Sequence, residues 1–77
     1  MSIADLLPND TAVVIGFEKS NKNYRKKLLT MGIIPGTKFE VIRFAPMGDP
    51  IEINLRGFSL TLRKDEASII LIKKYDY

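Results

Sequence analysis

The stretch "LLTMGIIPG", Leu28 to Gly36, carries the end of a helix and the approach to a sheet within a few residues. Within and just before it, Tyr24, Leu28 and Met31 recur at intervals of four and three residues, which is the spacing of one apolar stripe on a helix. This stripe predicts a helix over residues 20–32, with Ser20 or Asn21 as its N-cap. The stretch is unusual because a surface connection after a helix is normally polar, whereas this one is rich in large aliphatic side chains.

The aliphatic residues after the helix have a structural interpretation. Gly32 stands where a Schellman ending needs a left-handed residue, and that motif packs Ile33 back against Leu28. Ile34 to Thr37 then match a type II turn, in which proline presets the second position and Gly36 supplies a positive φ at the third. We therefore expect Gly32 and Gly36 to be structural turn residues.

Five segments outside the helix have the composition and alternation of strands. Thr11 to Phe17 is rich in β-branched residues, and the segments after the turn alternate apolar with polar side chains. Gly57 is the only breaker between two of them, so it predicts a tight hairpin. Phe39 and Phe58 fall at core-facing positions of this alternation. The predicted strands are 11–17, 37–45, 51–56, 58–63 and 69–74, with one helical turn over 64–68.

This order of elements predicts a mainly β fold. A small SH3-like barrel of about five strands, with one helix between the first and second strands, accounts for it and leaves few exposed sheet edges. An OB-type barrel is the second choice, because its helix would lie between the third and fourth strands, where this chain has a single glycine. A chain of 77 residues is close to the smallest size that supports one core, so we expect residues 1–77 to form a single domain.

The composition excludes several kinds of site. The chain has no cysteine and no histidine, so the usual zinc, copper and iron sites cannot form, and we expect no metal site and no cofactor. No phosphate-binding glycine loop or nucleophile motif occurs, so we expect no catalytic residues and no enzymatic activity. The N-terminus lacks the pattern of a signal peptide, and no apolar run reaches the ~18 residues of a membrane span. These features predict a cytoplasmic protein.

Several short motifs recur together in an order and spacing that point to one family. They are Met31-Gly32, Pro35-Gly36, Ala45 to Pro50, Gly57-Phe58, Leu60, Leu62-Arg63 and Glu66-Ala67. In these motifs the chain resembles the FeoA family, ferrous iron transport protein A, from about residue 3 to residue 73. The resemblance implies an SH3-like fold and an accessory role in bacterial ferrous iron uptake. It also implies the transporter FeoB as partner, through its cytoplasmic GTP-binding region or another cytoplasmic face, which would place the chain peripherally at the inner membrane.

The same module also resembles the C-terminal domain of iron- and manganese-dependent repressors, in which a DNA-binding winged helix comes first. A stand-alone relative of that domain is therefore an alternative to the FeoA interpretation. No catalytic, cofactor-binding or metal-binding residue set carries over from the FeoA family to positions of this chain, although the family associates the chain with transition metals. Any functional residues must therefore be found from the chain's own surface.

Ile34, Leu29 and a second apolar turn are not explained by the helix ending. They could plug an open end of the barrel, or they could form a docking surface in which flexible methionine and rigid proline hold a partner while cations steer it. We treat the second as the hypothesis to test. The candidate partner-binding residues are Lys26, Lys27, Leu29, Ile33, Ile34, Pro35, Pro46 and Met47.

A basic cluster along the predicted helix supports an alternative function, a small barrel that binds nucleic acid. The cluster consists of Lys19, Lys22, Arg25, Lys26 and Lys27, and basic groups of this kind contact phosphates. However, the formal net charge is only +3, and acidic residues are dispersed along the chain. A solvated helix face or an acidic protein partner is favoured on this balance, and the sequence leaves self-association open.

Overall fold

The computed structural model describes residues 1–19 and 22–75. A short helical turn at Ile3–Asp5 is followed by the elements that form the domain. They are β1 (Thr11–Phe17), α1 (Lys22–Thr30), β2 (Lys38–Phe44), β3 (Ile51–Leu55), β4 (Phe58–Leu62), α2 (Lys64–Ser68) and β5 (Ile70–Lys74), with a short turn at Pro46–Gly48 between β2 and β3. The predicted N-cap of α1, Ser20 or Asn21, lies outside the described residues.

The five strands form one antiparallel sheet in the order β4-β3-β2-β1-β5. The pairing of β2 with β3 shifts register between Val41 and Arg43, and that of β1 with β5 shifts between Val14 and Gly16. Such irregularities bend a strand and increase its twist, which lets a small sheet curve around a core. The SH3-like architecture, with the main helix between the first two strands, is therefore confirmed.

The end of α1 has the predicted geometry. The Ile33 N–H donates to the Leu28 carbonyl at 3.0 Å and the Gly32 N–H donates to the Leu29 carbonyl at 3.0 Å, while Gly32 has φ +93°. These two bonds and the left-handed residue define a Schellman motif. Ile33 and Leu28 are both buried in the core, so this aliphatic residue does end the helix.

The turn after α1 is attached to the sheet. The Thr37 N–H donates to the Ile34 carbonyl at 3.1 Å, and Gly36 has φ +93°, as the predicted type II turn requires. The Gly36 N–H also donates to the Val14 carbonyl at 2.7 Å, and the Val14 N–H donates to the Thr37 carbonyl at 2.9 Å. The turn therefore continues the pairing of β1 with the chain entering β2.

The core is formed by alternate residues of the strands together with α1, α2 and the N-terminal turn. Apolar side chains of β3 point inward at every second position, as predicted. Phe39 is buried, but the prediction that Phe58 is a core residue is wrong, because its side chain is 72% exposed. The buried apolar residues are Ile3, Leu6, Ala12, Val14, Leu28, Ile33, Phe39, Val41, Ile51, Ile53, Leu55, Leu62, Ala67, Ile69, Ile70 and Ile72.

Phe58 is exposed because of where it lies in the sheet, although its side chain points to the same face as that of the buried Leu62. It alternates in step with Leu60 and Leu62, but it is the first residue after the hairpin turn and lies on a strand at the end of the sheet. The hairpin itself is the tight one predicted, with only Arg56 and Gly57 between Leu55 and Phe58, at φ +54° and +86°. Two successive positive φ values are typical of a type I′ turn.

Candidate docking surface

The Pro46–Gly48 turn, the second of the two turns that flank β2, follows the end of that strand, and we call it the second turn. Met47 is 97% exposed and has φ +77°. The turn is closed by the Gly48 N–H, which donates to the Ala45 carbonyl at 2.8 Å, and by the Ala45 N–H, which donates to the Pro50 carbonyl at 3.0 Å. The shape of the turn thus comes from its own backbone, and the methionine side chain is left in solvent.

A groove of about 250 Å³ lies beside this turn. The aromatic ring of Phe44 and two prolines, Pro46 and Pro50, supply rigid apolar surface. On the outer face, the Arg43 Nε donates to the Glu52 Oε1 at 2.8 Å across the β2–β3 pair. The complete lining is Arg43, Phe44, Ala45, Pro46, Pro50, Glu52 and Thr61.

A second groove of about 440 Å³ adjoins the first, and the two share Pro50 and Thr61. Its other lining residues come from α1, the Asp49 segment, and the start of α2. They are Lys27, Asp49, Arg63 and Glu66. We call these two cavities together the paired groove. The paired groove therefore extends from Lys27 on α1 to Pro46 in the turn after β2.

The charged end of the paired groove is organised around Glu66. This carboxylate is buried; its Oε1 accepts a hydrogen bond from the Arg63 N–H at 2.9 Å, and its Oε2 forms an ion pair with the Lys27 ammonium. The hydrogen bond from Lys27 is the main cause that holds the pKa of Glu66 below its usual value, followed by the Arg63 N–H, and together they outweigh the opposing effect of burial. Glu66 is therefore a structural anion that fixes α1 against α2.

Asp49 attaches the second turn to α2. Its Oδ1 accepts a hydrogen bond from the Lys64 N–H at 3.0 Å, at the first turn of that helix. A carboxylate at this position satisfies one of the unpaired N–H groups of the helix start. The segment after Met47 is thus held at its base, whereas Met47 at the tip of the turn is exposed.

The structure separates the candidate residues into two groups. Ile34 and Pro35 precede β2, whereas Pro46 and Met47 follow it, and seven residues in a strand span about 20 Å. Leu29 and Ile34 are each 38% exposed, and Pro35, Pro46 and Lys26 are exposed. The predicted set is therefore not one patch along β2, although Lys27 and Pro46 line adjoining parts of the paired groove.

Two candidate residues need correction. Ile33 is only 1% exposed, because the Schellman ending turns its side chain into the core, so its inclusion as a partner-binding residue is wrong. Lys27 reaches the groove, but its ammonium neutralises Glu66, so it is not simply a free steering charge. Lys26, the next residue toward the N-terminus, keeps its side chain in solvent.

Sequence reasoning missed most of the groove lining. Thr61 and Arg63 alternate outward on the strand that carries Leu60 and Leu62, so the period of that strand could have identified them. Glu66 could have been suspected from its position three residues after Arg63, a capping-box spacing. Pro50 and Asp49 gave no comparable indication, because their position depends on how the second turn folds back toward α2.

Two negative findings apply to residues 1–19 and 22–75. No group of three or more histidine, cysteine, aspartate or glutamate side chains lies together in a way that could hold a metal ion. None of the helices in this part of the chain is long and apolar enough to cross a membrane.

Comparison with known proteins identifies the family. A family model of the FeoA domain matches residues 1–74. The chain belongs to the FeoA family. The solution structure of an FeoA-like protein from Clostridium acetobutylicum is 38% identical, covering 100% of this chain and 88% of that one, with a TM-score of 0.89.

Two further relatives show the fold and the setting of this family. The crystal structure of FeoA from Stenotrophomonas maltophilia, a prokaryotic SH3 domain protein complexed with zinc, superposes with a TM-score of 0.80 over 95% of this chain and 89% of that one; at 21% identity this likeness shows the fold. A Porphyromonas gingivalis protein that fuses Fe(2+) transport protein A to the Fe(2+) transporter FeoB is 29% identical over 73 residues. The match covers 95% of this chain but only 8% of the fusion protein. The FeoA family is thereby associated with ferrous iron transport.

Proposed function

We propose that this FeoA-family protein is a non-enzymatic, cytoplasmic accessory protein of bacterial ferrous iron uptake that binds FeoB and modulates it through protein contacts. The observation that carries the proposal is the Porphyromonas gingivalis relative, in which a similar domain and FeoB are parts of one polypeptide. Fusion makes the encounter of two modules intramolecular and raises their effective concentration. Such a fusion is useful when the two modules act on each other, so the separate protein is expected to bind FeoB from solution, at its cytoplasmic GTP-binding region.

The geometry of the paired groove supports docking rather than catalysis. A general acid or base works best with a pKa near the operating pH, whereas the pKa of Glu66 is lowered by Lys27 and Arg63. Arg43 and Glu52 are likewise paired with each other. What remains is a rigid apolar surface of Phe44 and two prolines next to an exposed methionine, which suits shape recognition of a peptide segment or helix.

Met47 provides the first test. Its substitution by alanine should cost about 1 to 3 kcal/mol of affinity for the cytoplasmic region of FeoB, mainly through faster dissociation, because exposed anchors contribute when they are buried by a partner. Ile15→Ala is the matched control, since Ile15 is an exposed aliphatic residue on β1 that lines neither groove. Surface plasmon resonance would measure both affinities, and thermal melts should show that both variants stay folded.

Wild-type protein that fails to bind the cytoplasmic region of FeoB would contradict the proposed function. If Met47→Ala and Ile15→Ala changed the affinity for FeoB equally, the second turn would not be part of the docking surface. Lys26→Glu adds a kinetic test, because Lys26 is an exposed cation next in sequence to the groove residue Lys27 and should act by steering. The variant should therefore associate more slowly and with a weaker salt dependence. Tight binding to duplex DNA that weakens steeply with salt would favour the nucleic-acid alternative.

A further inference from the structure

Strand β4 is an unprotected sheet edge. Among the residues that the structure describes, it stands at the end of the strand order and pairs only with β3, and its sequence, Phe58–Leu62, contains no charged residue and no proline. Soluble proteins usually protect an exposed edge with lysine, proline or a covering segment, because its unpaired backbone groups can accept another strand. An edge without these features is a candidate for pairing with a partner.

The hairpin geometry identifies which backbone groups face outward. In a two-residue hairpin the residues that flank the turn, here Leu55 and Phe58, form a hydrogen-bonded pair, and the pairs then alternate along the ladder. Ser59, opposite Asn54, and Thr61, opposite Glu52, are therefore members of non-hydrogen-bonded pairs. Their N–H and C=O groups point away from β3, so the free edge presents two donors and two acceptors at the spacing of a strand.

Phe58 adds an apolar contact to this edge. Its side chain lies on the face of β4 that carries Leu60 and Leu62, yet it is 72% exposed beyond the core. A strand added to β4 would place one of its own side chains within reach of this ring, as cross-strand neighbours are in any antiparallel pair. The edge thus offers backbone hydrogen bonds for affinity and an aromatic ring for side-chain selection.

The charges around β4 indicate which strand would fit. Arg56 precedes the strand, and Arg63 and Lys64 follow it, whereas no acidic residue occurs between residues 56 and 64. A second copy of this chain, added antiparallel about Leu60, would bring Arg56 of one copy opposite Lys64 of the other. Like charges facing each other across a pair are destabilising. Three acidic groups beside the strand already have partners within the chain. Glu52, opposite Thr61 on β3, pairs with Arg43, and Glu66 pairs with Lys27. Asp49 accepts a hydrogen bond from the Lys64 N–H.

We propose that β4 receives an extended, acidic segment of FeoB as an additional antiparallel strand, with an apolar side chain of that segment against Phe58. This proposal rests on the proposed function, because it names the mode by which FeoB would be held. The incoming strand hydrogen-bonds with Ser59 and Thr61, and its carboxylates lie near Arg56 and Arg63. Recognition through the backbone would make the interaction tolerant of sequence except at the apolar and acidic positions.

The test uses a substitution that removes one outward donor without touching the paired groove. Ser59→Pro deletes the Ser59 N–H at an edge position that faces solvent, where proline is tolerated in sheets, and Ser59 lines neither groove. Ser59→Ala is the matched control, because it removes the hydroxyl but keeps the N–H. Against the cytoplasmic region of FeoB, Ser59→Pro should lower affinity about tenfold or more, while Ser59→Ala should bind like wild type.

Amide hydrogen exchange on the unmodified protein gives a second measurement in case Ser59→Pro folds poorly. The Ser59 and Thr61 N–H groups should exchange quickly in the free protein and become protected when the cytoplasmic region of FeoB is added. Full affinity of a folded Ser59→Pro, or unchanged exchange at both amides in the complex, would overturn the added strand while leaving the proposed function standing. Absence of any binding by the wild type would overturn both. Protection that appears with rising protein concentration alone would overturn the choice of FeoB in favour of a second copy.

Discussion

Two turns at opposite ends of β2 have similar compositions but different environments. The turn before β2, which we call the first turn, contains Ile34, Pro35 and Gly36; the turn after it, the second turn, is Pro46–Gly48. Each combines one proline, one large apolar residue and a glycine with positive φ. Yet the first turn is hydrogen-bonded to β1 and follows the buried Ile33, whereas the second carries Met47 with 97% of its side chain in solvent.

The comparison shows that backbone partners decide the role of an apolar turn. Val14 exchanges hydrogen bonds with the Gly36 N–H and the Thr37 carbonyl, so the first turn is part of the sheet and draws its neighbours toward the core. The second turn is closed by Ala45 and Pro50, which belong to the same loop. Its apolar residue has no core to reach and is available to a partner.

The largest expected difference between the turns concerns stability. Ile33→Ala should lower the free energy of unfolding by about 2 to 5 kcal/mol, because it removes a fully buried side chain and leaves a cavity. Met47→Ala should change it by less than about 0.5 kcal/mol, because that side chain contacts solvent. Ile34→Ala, with 38% of the residue exposed, should fall between them. Urea denaturation of the three variants measures this order.

A reversed order would contradict the roles assigned to the two turns. If Ile33→Ala unfolded like wild type while Met47→Ala collapsed, the second turn would be the structural one, and its place in the docking surface would have to be abandoned. An intermediate result at Ile34 matters as well, because a loss above about 2 kcal/mol would make that residue a plug of the barrel rather than a contact for a partner.

Local rules predicted much of this fold from sequence. The helix ending, the type II turn and the hairpin at Gly57 each depend on residues within a few positions of one another, and glycine or proline fixes the backbone there. Phe58 shows where such rules fail. Strand alternation gives the face of a side chain but not whether a neighbour covers that face, and on an edge strand beside a turn no neighbour does.

The candidate site was less predictable than the fold. Lys27 and Glu66 come from helices far apart in the sequence, and their ion pair depends on how α1 packs beside α2. A basic cluster on one helix therefore gave no means of telling the paired Lys27 from the solvated Lys26. Met47 and Pro46 could be expected at a turn tip, but the groove beneath them also requires Pro50 and Thr61, which only the tertiary structure brings together.

The next largest effect is a pH dependence of stability that arises at the paired groove beside the second turn. The first turn contains no titratable side chain, whereas Glu66 at the paired groove has its pKa lowered by Lys27 and Arg63. A carboxylate whose pKa is lower in the folded state stabilises the fold at pH values above its unfolded pKa, and this contribution is lost as the pH falls through the folded pKa. Glu66→Gln should therefore cost about 1 to 3 kcal/mol at neutral pH, because it removes the carboxylate that accepts charge-assisted hydrogen bonds from Lys27 and the Arg63 N–H.

Thermal melts between neutral and acidic pH measure this difference. The stabilities of wild type and Glu66→Gln should begin to converge as the pH falls below the usual carboxyl pKa of 4.5, where the unfolded chain takes up the proton. Convergence should be complete only below the lowered pKa of folded Glu66, where the carboxyl is protonated in both states. Asp65→Asn is the matched control, since it removes an exposed carboxylate from the same helical turn. A constant gap between wild type and Glu66→Gln at all pH values would show that the carboxylate is not held ionised by Lys27.

The smallest effect tests the backbone of both turns. Gly36 has φ +93° and Gly48 has φ +78°. Apart from each glycine and its chain neighbours, no atom of the described residues lies within 4 Å of where a Cβ would be placed, so a side chain there is opposed mainly by backbone strain. Valine at a left-handed position should cost about 1 to 2 kcal/mol or more. Gly16→Val is the matched control, because Gly16 also has open space around it but lies in β1 without a positive φ, so it should stay within about 0.5 kcal/mol of wild type.

Gly36→Val should cost more than Gly48→Val, because relaxing the first turn would also disturb the Gly36 bond to Val14, whereas the second turn can relax without moving a strand. Calorimetric melts that rank Gly48→Val below Gly36→Val in stability would mean that the second turn, too, is tied to the sheet. The exposed position of Met47 would then be fixed by the fold and not only by the hydrogen bonds within its own turn.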